Sequence, residues 1–521
     1  LGLPTSLFCR IWRALAEWFG ESGDNGRKRL ATRKQSRYSQ CMTLTSDECY
    51  QALVAHDARF DGVFFVGVST TGIYCRPVCR AKTPRRTSCT FYANAAAAEE
   101  AGFRPCLRCR PELAPGRARC DAMDTLARRA ASRIEDGALN EQSVAELAQS
   151  LGSSERHLRR SVEKTFGVSP VALAQTHRLL LAKRLLTDTE LPVTEIAFAS
   201  GFSSLRRFNA LFVERYRLNP SGLRRRVGAA YPAILECLLP ARAPLEGAAL
   251  LRFLGARAIP GVEQVEDGIY RRTLRIGKHT GWLTASFVEG KDTLRVEVSA
   301  SLAPALGQVL ARVKRLFDLD ADPGSIVGTL SADSYLKLLV EQAPGLRLPG
   351  SMDGFEQAVR AVLGQQVSVA AARTLAGRIV ETFGEPIETP YPALNHLFPT
   401  PVRIAELDEE AFSGLGITGA RIRTLRRLAE LVATKALVLK PGVDVEKTIE
   451  TLLTVPGIGP WTAQYIALRA LHWPDAFPNG DLGLLHALNE TDTKRLQERA
   501  ECWRPWRGYA VMHLWHSLET K

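Results

Sequence analysis

At 521 residues the chain is too long for one hydrophobic core, and common domain sizes predict three or four domains. With 68 Lys+Arg against 55 Asp+Glu the net charge is +13, so polyanions are the expected partners, nucleic acid ahead of a membrane surface. No apolar run is long enough to span a bilayer, which excludes an integral helical membrane protein and points to the cytoplasm, with no membrane partner.

Residues 1–41 begin with Leu1 and pass from a short apolar stretch to a basic, polar one. They read as a disordered or upstream translated extension, with Met42 a plausible start. Nine of the eleven cysteines precede residue 121, which marks a local site rather than a disulfide framework. Within residues 42–120, Cys75 and Cys79 form one close pair and Cys106 and Cys109 a second, 26 residues further on. Two such pairs can supply four thiolates to one tetrahedral Zn2+, and spacing alone favours a plain structural zinc ribbon. Cys49, Cys89 and Cys120 fall outside the pattern and read as ordinary thiols.

The residues around the pairs are more specific. DARFDGVFFVGVSTTGIYCRPVC followed by AGFRPCLRCRP resembles the N-terminal domain of the Ada family of methyl phosphotriester sensors, over residues 47–112. The resemblance implies that Cys75 accepts the methyl group and that all four cysteines hold zinc. A metal-bound thiolate stays nucleophilic at neutral pH without a general base. Four thiolates on one zinc carry a net charge of −2, and methylation of one leaves −1. Removing a charge about 10 Å from a phosphate, at an effective dielectric of about 20, relieves roughly 1–2 kcal/mol of repulsion. Methylation is therefore expected to strengthen DNA binding.

Residues 121–228 read as helical and basic, with 14 Lys+Arg against 6 Asp+Glu between 151 and 226. SVAELAQSLGSSERHLRRSVEKTFGVSP (143–170) is echoed by PVTEIAFASGFSSLRRFNALFVERYRLNP (192–220), a tandem helix-turn-helix with a period of about 50 residues. Arg156, Arg159 and Arg160 share one face of the first recognition helix. Arg206, Arg207 and Asn209 are the candidates in the second. The segment resembles the AraC-type DNA-binding domain, which implies promoter DNA as a partner and RNA polymerase as a further one.

Residues 229–345 predict an α+β unit, with strand-like alternation at 270–276 and 293–299, and residues 346–521 are helical. In LLTVPGIGPWTAQYIALRAL (452–471) a helix gives way to a turn carrying Gly457 and Gly459, then resumes. Such a turn can offer backbone N–H groups to a DNA phosphate. Asp481 follows in FPNGDLGLL, and WRPWRGYAVMHLW closes the pattern. Together these resemble the helix-hairpin-helix DNA glycosylases, most closely the 3-methyladenine DNA glycosylase II (AlkA) family, over residues 240–518.

The resemblance implies that Asp481 stabilises the sugar cation as an alkylated purine leaves, with water completing hydrolysis of double-stranded alkylated DNA. It implies an aromatic pocket of Trp461, Tyr465 and Trp515 for the flipped base, and a DNA wedge at Gln365 and Gln366. It also implies a monovalent cation on carbonyls near Leu453, Val455 and Ile458. Asp353 and Asp475 read as structural. Trp461 stands where lyase-type relatives carry a lysine, so strand cleavage is not expected. With Cys502 alone in this region, an iron–sulfur cluster cannot form. No Pro-Cys-His-Arg motif of the O6-methylguanine transferase is present.

The expected architecture is multidomain and mainly α with α+β parts. It comprises a small zinc-binding α/β sensor, an all-α tandem helix-turn-helix, an α+β glycosylase N-terminal domain and an all-α helix-hairpin-helix domain. The alternatives are a transcription regulator with structural zinc and a non-catalytic damage-binding C-terminal module, or a glycosylase whose N-terminal half only targets it to DNA. Cys75 in its full motif and Asp481 with its aromatic neighbours speak against both.

Overall fold

Thr45 opens the first described helix because its hydroxyl accepts the Glu48 N–H while the Glu48 carboxylate accepts the Thr45 N–H, a capping box ahead of Ser46–Val54. The structure is a computed structural model describing residues 44–116, 126–224 and 233–519; the proposed extension, Met42 and Cys120 lie outside those ranges. Behind this helix the strands β1 (Phe65–Val68), β2 (Ile73–Cys75), β3 (Cys89–Tyr92) and β4 (Arg104–Pro105) form a sheet in the order β3-β1-β2-β4. Strand β1 runs antiparallel to β2 and β3, while β4 runs parallel to β2.

Two helix-turn-helix units follow, Val144–Ser150 with Glu155–Phe166 and Val193–Ala199 with Leu205–Tyr216, joined by the long helix Pro170–Asp188. The turns use Gly152 (φ +69°) and Gly201 (φ +86°), where a side chain would strain the backbone. Ser154 and Ser204 cap the second helix of each unit. Buried Leu158, Val162 and Phe166 recur 50 positions later as Phe208, Phe212 and Tyr216, which aligns the two units residue for residue.

The strands β5 (Ile234–Pro240), β6 (Glu263–Glu266), β7 (Ile269–Ile276), β8 (His279–Phe287) and β9 (Thr293–Ser299) build an antiparallel sheet in the order β5-β9-β8-β7-β6. The strand expectations at 270–276 and 293–299 correspond to β7 and β9. Strand β8 lacks an alternating pattern because Gly281–Ala285 are buried without a break, so both faces are covered. A buried ion network joins this sheet to the helix Gly354–Leu363: Arg272 meets Glu263 at 3.2 Å and Glu356 at 2.7 Å, and Arg360 meets Glu263 at 2.7 Å. Removing one member would strand an uncompensated buried charge. The remainder is helical, apart from a short ribbon pairing Glu385–Pro386 with His396–Leu397. Among the described residues no helix is long and apolar enough to cross a membrane.

The units also touch one another. The Gly116 N–H donates to Asp320 Oδ1 (2.7 Å), and Arg242 donates to the Asp320 carbonyl (2.9 Å) and the Asp61 carbonyl (3.3 Å). Between the four-stranded sheet and the helix-turn-helix units lies the buried carboxylate of Glu99, which accepts from Thr176 (2.8 Å), Tyr74 (3.1 Å) and Tyr216 (3.4 Å). Burial pushes this carboxyl up to about 7, against the pull of the Thr176 and Tyr74 hydroxyls, the Arg215 guanidinium and the Tyr216 hydroxyl.

Because the folded value lies above the unfolded one, the protonated state stabilises the fold below pH about 4.5. That contribution, on the order of 3 kcal/mol, is lost as pH rises through about 7. Calorimetry between pH 5 and 8 should show the transition of this region falling with pH in the native chain and flatter in Glu99→Gln.

Candidate functional site

Cys75 ends β2, opposite Val66 of β1, and Cys106 directly follows β4, donating its N–H to the Tyr74 carbonyl (3.0 Å). The parallel pairing of β2 with β4 therefore brings the two cysteine pairs together across 26 residues of sequence. The sulfurs of Cys75, Cys79, Cys106 and Cys109 all lie within 4.8 Å of one another. A tetrahedral zinc with Zn–S bonds of about 2.3 Å separates its sulfurs by about 3.8 Å, so the four-sulfur set fits the metal. Cys79 and Cys106 are buried, while Cys75 and Cys109 reach the surface in part. Hydrogen bonds shared within the cluster hold the Cys106 thiol below its ordinary value and the Cys75 thiol above it, so the four sulfurs titrate as one set.

Arg76, which sequence reasoning did not single out, organises this site. Its backbone N–H points at Cys109 Sγ (3.4 Å) and its guanidinium donates to the Cys109 carbonyl (3.1 Å) while pairing with Asp61. The RP dipeptide after Cys75 carried the only signal for it. Beyond Cys109, Arg110 bonds Glu112 and Asp188, and Glu112 in turn pairs with buried Lys183. The cluster is thereby joined to the long helix of the helix-turn-helix region. Cys49 and Cys89 are buried away from the cluster, and burial pushes Cys49 up to about 12.

On the recognition helices Arg156, Arg160, Arg206 and Arg207 are exposed. Arg159 is half-buried and bonded to Glu155 (2.8 Å) on its own helix, and Asn209 is half-buried. The four exposed arginines are thus better placed than Arg159 to reach a phosphate or base.

In the C-terminal half the hairpin runs from the helix Val445–Leu453 through Gly457 to Pro460–Arg469. Gly457 adopts φ +88°, and a Cβ there would lie 2.2 Å from Thr424 Oγ1. That hydroxyl donates to the Pro456 carbonyl (2.7 Å) and so fixes the turn. Gly459 is the N-cap of the second helix. The Val455 carbonyl accepts the Ile458 N–H (3.0 Å).

Asp481 caps the helix Leu482–Ala487, and its carboxylate gathers three donors. Oδ1 accepts the Leu484 N–H (3.1 Å) and the Trp515 indole N–H (3.0 Å), while Oδ2 accepts the Trp461 indole N–H (2.9 Å). Trp461 and Tyr465, one turn apart, stack at 5.3 Å with their planes 8° apart, and Trp515 lies 6.2 Å from Tyr465. The four residues singled out from sequence therefore converge. Burial pushes the Tyr465 phenol up, but the Arg469, Arg257 and Arg360 guanidiniums outweigh it and leave the group below its ordinary value. Arg469 itself is buried on the Pro349 and Gly350 carbonyls, a support that no sequence pattern marked.

The two glutamines part company. Gln365 turns inward and donates to the Gly457 carbonyl (2.8 Å) and Thr462 (3.0 Å), tying its loop to the hairpin. Gln366 is exposed at φ +55°. Asp353 caps the helix Gly354–Leu363 and Asp475 is held by Arg504 and Arg507, in keeping with structural roles. Gly480, at φ +81°, forms the turn before Asp481, and Leu482 beside it is 81% exposed.

Comparison with known proteins agrees with this geometry. Residues 48–112 match the family "Metal binding domain of Ada", 147–226 "Helix-turn-helix domain", 236–353 "AlkA N-terminal domain" and 359–507 "HhH-GPD superfamily base excision DNA repair protein". The chain is 39% identical over 274 residues to "DNA-3-methyladenine glycosylase 2" of Escherichia coli, covering 53% of this chain and 94% of that one. It is 37% identical over 159 residues to the E. coli "Bifunctional transcriptional activator/DNA repair enzyme Ada", covering 30% of this chain and 43% of that one. A Mycobacterium tuberculosis protein named "Probable bifunctional transcriptional activator/DNA repair enzyme AlkA" is 41% identical over 483 residues, covering 91% of this chain and 96% of that one. The chain belongs to this family, in which an Ada-type zinc domain and a helix-turn-helix precede an AlkA-type DNA glycosylase.

Proposed function

We propose that the chain repairs alkylated DNA at Asp481 and records the damage at Cys75, with its tandem helix-turn-helix turning the record into a change in transcription. The observation that carries this reading is the presence on one chain of two chemically complete sites, a four-thiolate cluster and a carboxylate beside stacked aromatic rings. The working units are residues 42–120, 121–228, 229–345 and 346–521.

At the first site zinc keeps its sulfurs deprotonated when bound. The half-exposed Cys75 Sγ attacks the methyl carbon of a phosphotriester, an S–C bond forms, the C–O bond breaks, and the phosphate leaves as a diester anion with no proton to place. Arg76 holds the opposite side of the cluster through Cys109 and Asp61. The step occurs once per chain, because the thioether formed has no route back. Arg156, Arg160, Arg206 and Arg207 contact promoter DNA, and the activator role includes a contact with RNA polymerase.

At the second site an alkylated purine carries positive charge, so it is already a good leaving group, and the electron-rich faces of Trp461 and Tyr465 favour it in the pocket. As the N-glycosidic bond lengthens, charge develops on the sugar. The Asp481 carboxylate, fixed by two indole N–H groups, meets that charge without reorganising, and water completes the hydrolysis. Trp461 fills the place of a lyase lysine, so the product is an intact abasic site. Gly457 and Gly459 grip the DNA backbone, Gln366 is the residue offered to the stack, and a monovalent cation on the carbonyls of Leu453, Val455 and Ile458 belongs to the same reading.

Incubation with methylated DNA, following protein methylation and free-base release separately, tests both halves. Cys75→Ala should abolish the first signal and spare the second, and Asp481→Asn should do the reverse; loss of both signals in either variant overturns the reading. Trp461→Phe keeps a ring on Tyr465 but removes one hydrogen bond to a charged acceptor, worth about 1.5–3 kcal/mol. Its single-turnover base release should therefore fall roughly 10- to 100-fold.

A further inference from the structure

The helix Ala95–Glu100 is only six residues long, yet it touches both recognition helices at equivalent points. At its start, the N-cap Asn94 donates from Nδ2 to the carbonyl of Phe166 (2.9 Å), the last residue of the first recognition helix. At its end, Glu99 accepts from the hydroxyl of Tyr216 (3.4 Å), the last residue of the second, and Glu100 pairs with Arg215 (3.5 Å). Positions 166 and 216 are counterparts in the repeat, so one short rod is fastened to the last residue of each recognition helix, through the backbone carbonyl in the first and the side-chain hydroxyl in the second. Its run Ala95–Ala98 is wholly buried, and those small side chains let it lie close against its neighbours. Thr176 of the long helix and Tyr74 of β2 complete the grip on Glu99.

We propose that the helix Ala95–Glu100 is a spacer that fixes the interval between the two DNA-reading helices, with Asn94 and Glu99 as its positioning residues. The spacer ties both C-terminal ends to a rod about 9 Å long, rigid on the scale of one base pair. It belongs to the sensor fold, and Tyr74 directly precedes Cys75 in β2, so the strand that carries the methyl acceptor also holds one end of the spacer. The inference rests on the two helices reading DNA, and not on methyl transfer.

The test uses the full zinc-loaded chain and a duplex selected by it from a random-sequence library, then re-made with one or two base pairs inserted between the two contacted segments. The native chain should lose about tenfold or more in affinity on insertion, since each added pair rotates one segment away from its helix. Asn94→Asp, which keeps the cap on the Ala97 N–H but removes the donor to Phe166, and Tyr216→Phe, which removes the hydroxyl on Glu99, should bind the original duplex within about threefold of native and lose no more than about threefold on insertion. Glu99→Ala should behave alike. Zinc content and base release report that the variants are folded. An insertion penalty unchanged from the native chain, or an equal loss of affinity at every spacing, would overturn the proposal. Arg206→Ala is the control for the underlying reading: it should weaken binding at every spacing, and if it leaves all affinities unchanged, DNA reading by the second helix is what has failed.

Discussion

The C-terminal half of the molecule is organised around a carboxylate that is held still. Asp481 accepts N–H groups from its own helix start and from two tryptophans distant in sequence. Trp461 comes from the helix after the hairpin and Trp515 from the terminal helix Arg507–Glu519, so one residue ties three segments together. The same indoles wall the space beside it. Hydrogen bonds to a charged acceptor are about twice as strong as neutral ones, which is why so small a group can fix the geometry of a helical domain.

The N-terminal half solves a different problem. Four thiolates repel one another unless a metal or shared protons hold them, and the parallel pairing of β2 with β4 brings them together. Arg76 brings a backbone N–H to one sulfur and a guanidinium to the carbonyl of the same cysteine. The chain keeps the two chemistries in separate folds.

What could be read from the sequence was what short spacing encodes. The cysteine pairs, the hairpin glycines, Asp481 and the doubled helix-turn-helix each lie within a few turns of chain, and local spacing survives into the fold. What escaped depends on convergence. Glu99 gathers hydroxyls from positions 74, 176 and 216, and the network of Arg272, Glu263, Glu356 and Arg360 spans almost a hundred residues. No periodicity announces either. Strand β8 was hidden because burial on both faces erases alternation. The wedge reading placed Gln365 and Gln366 together, but the local turn sends one into the hairpin and the other to solvent.

The bonds from Gly116 to Asp320 and from Arg242 to Asp61 and Asp320 fasten the sensing half of the molecule to the excising half. Two activities joined this way do not diffuse independently. A chain seated on a promoter carries its glycosylase domain to the same stretch of duplex, in an orientation set by those bonds rather than by a slack linker.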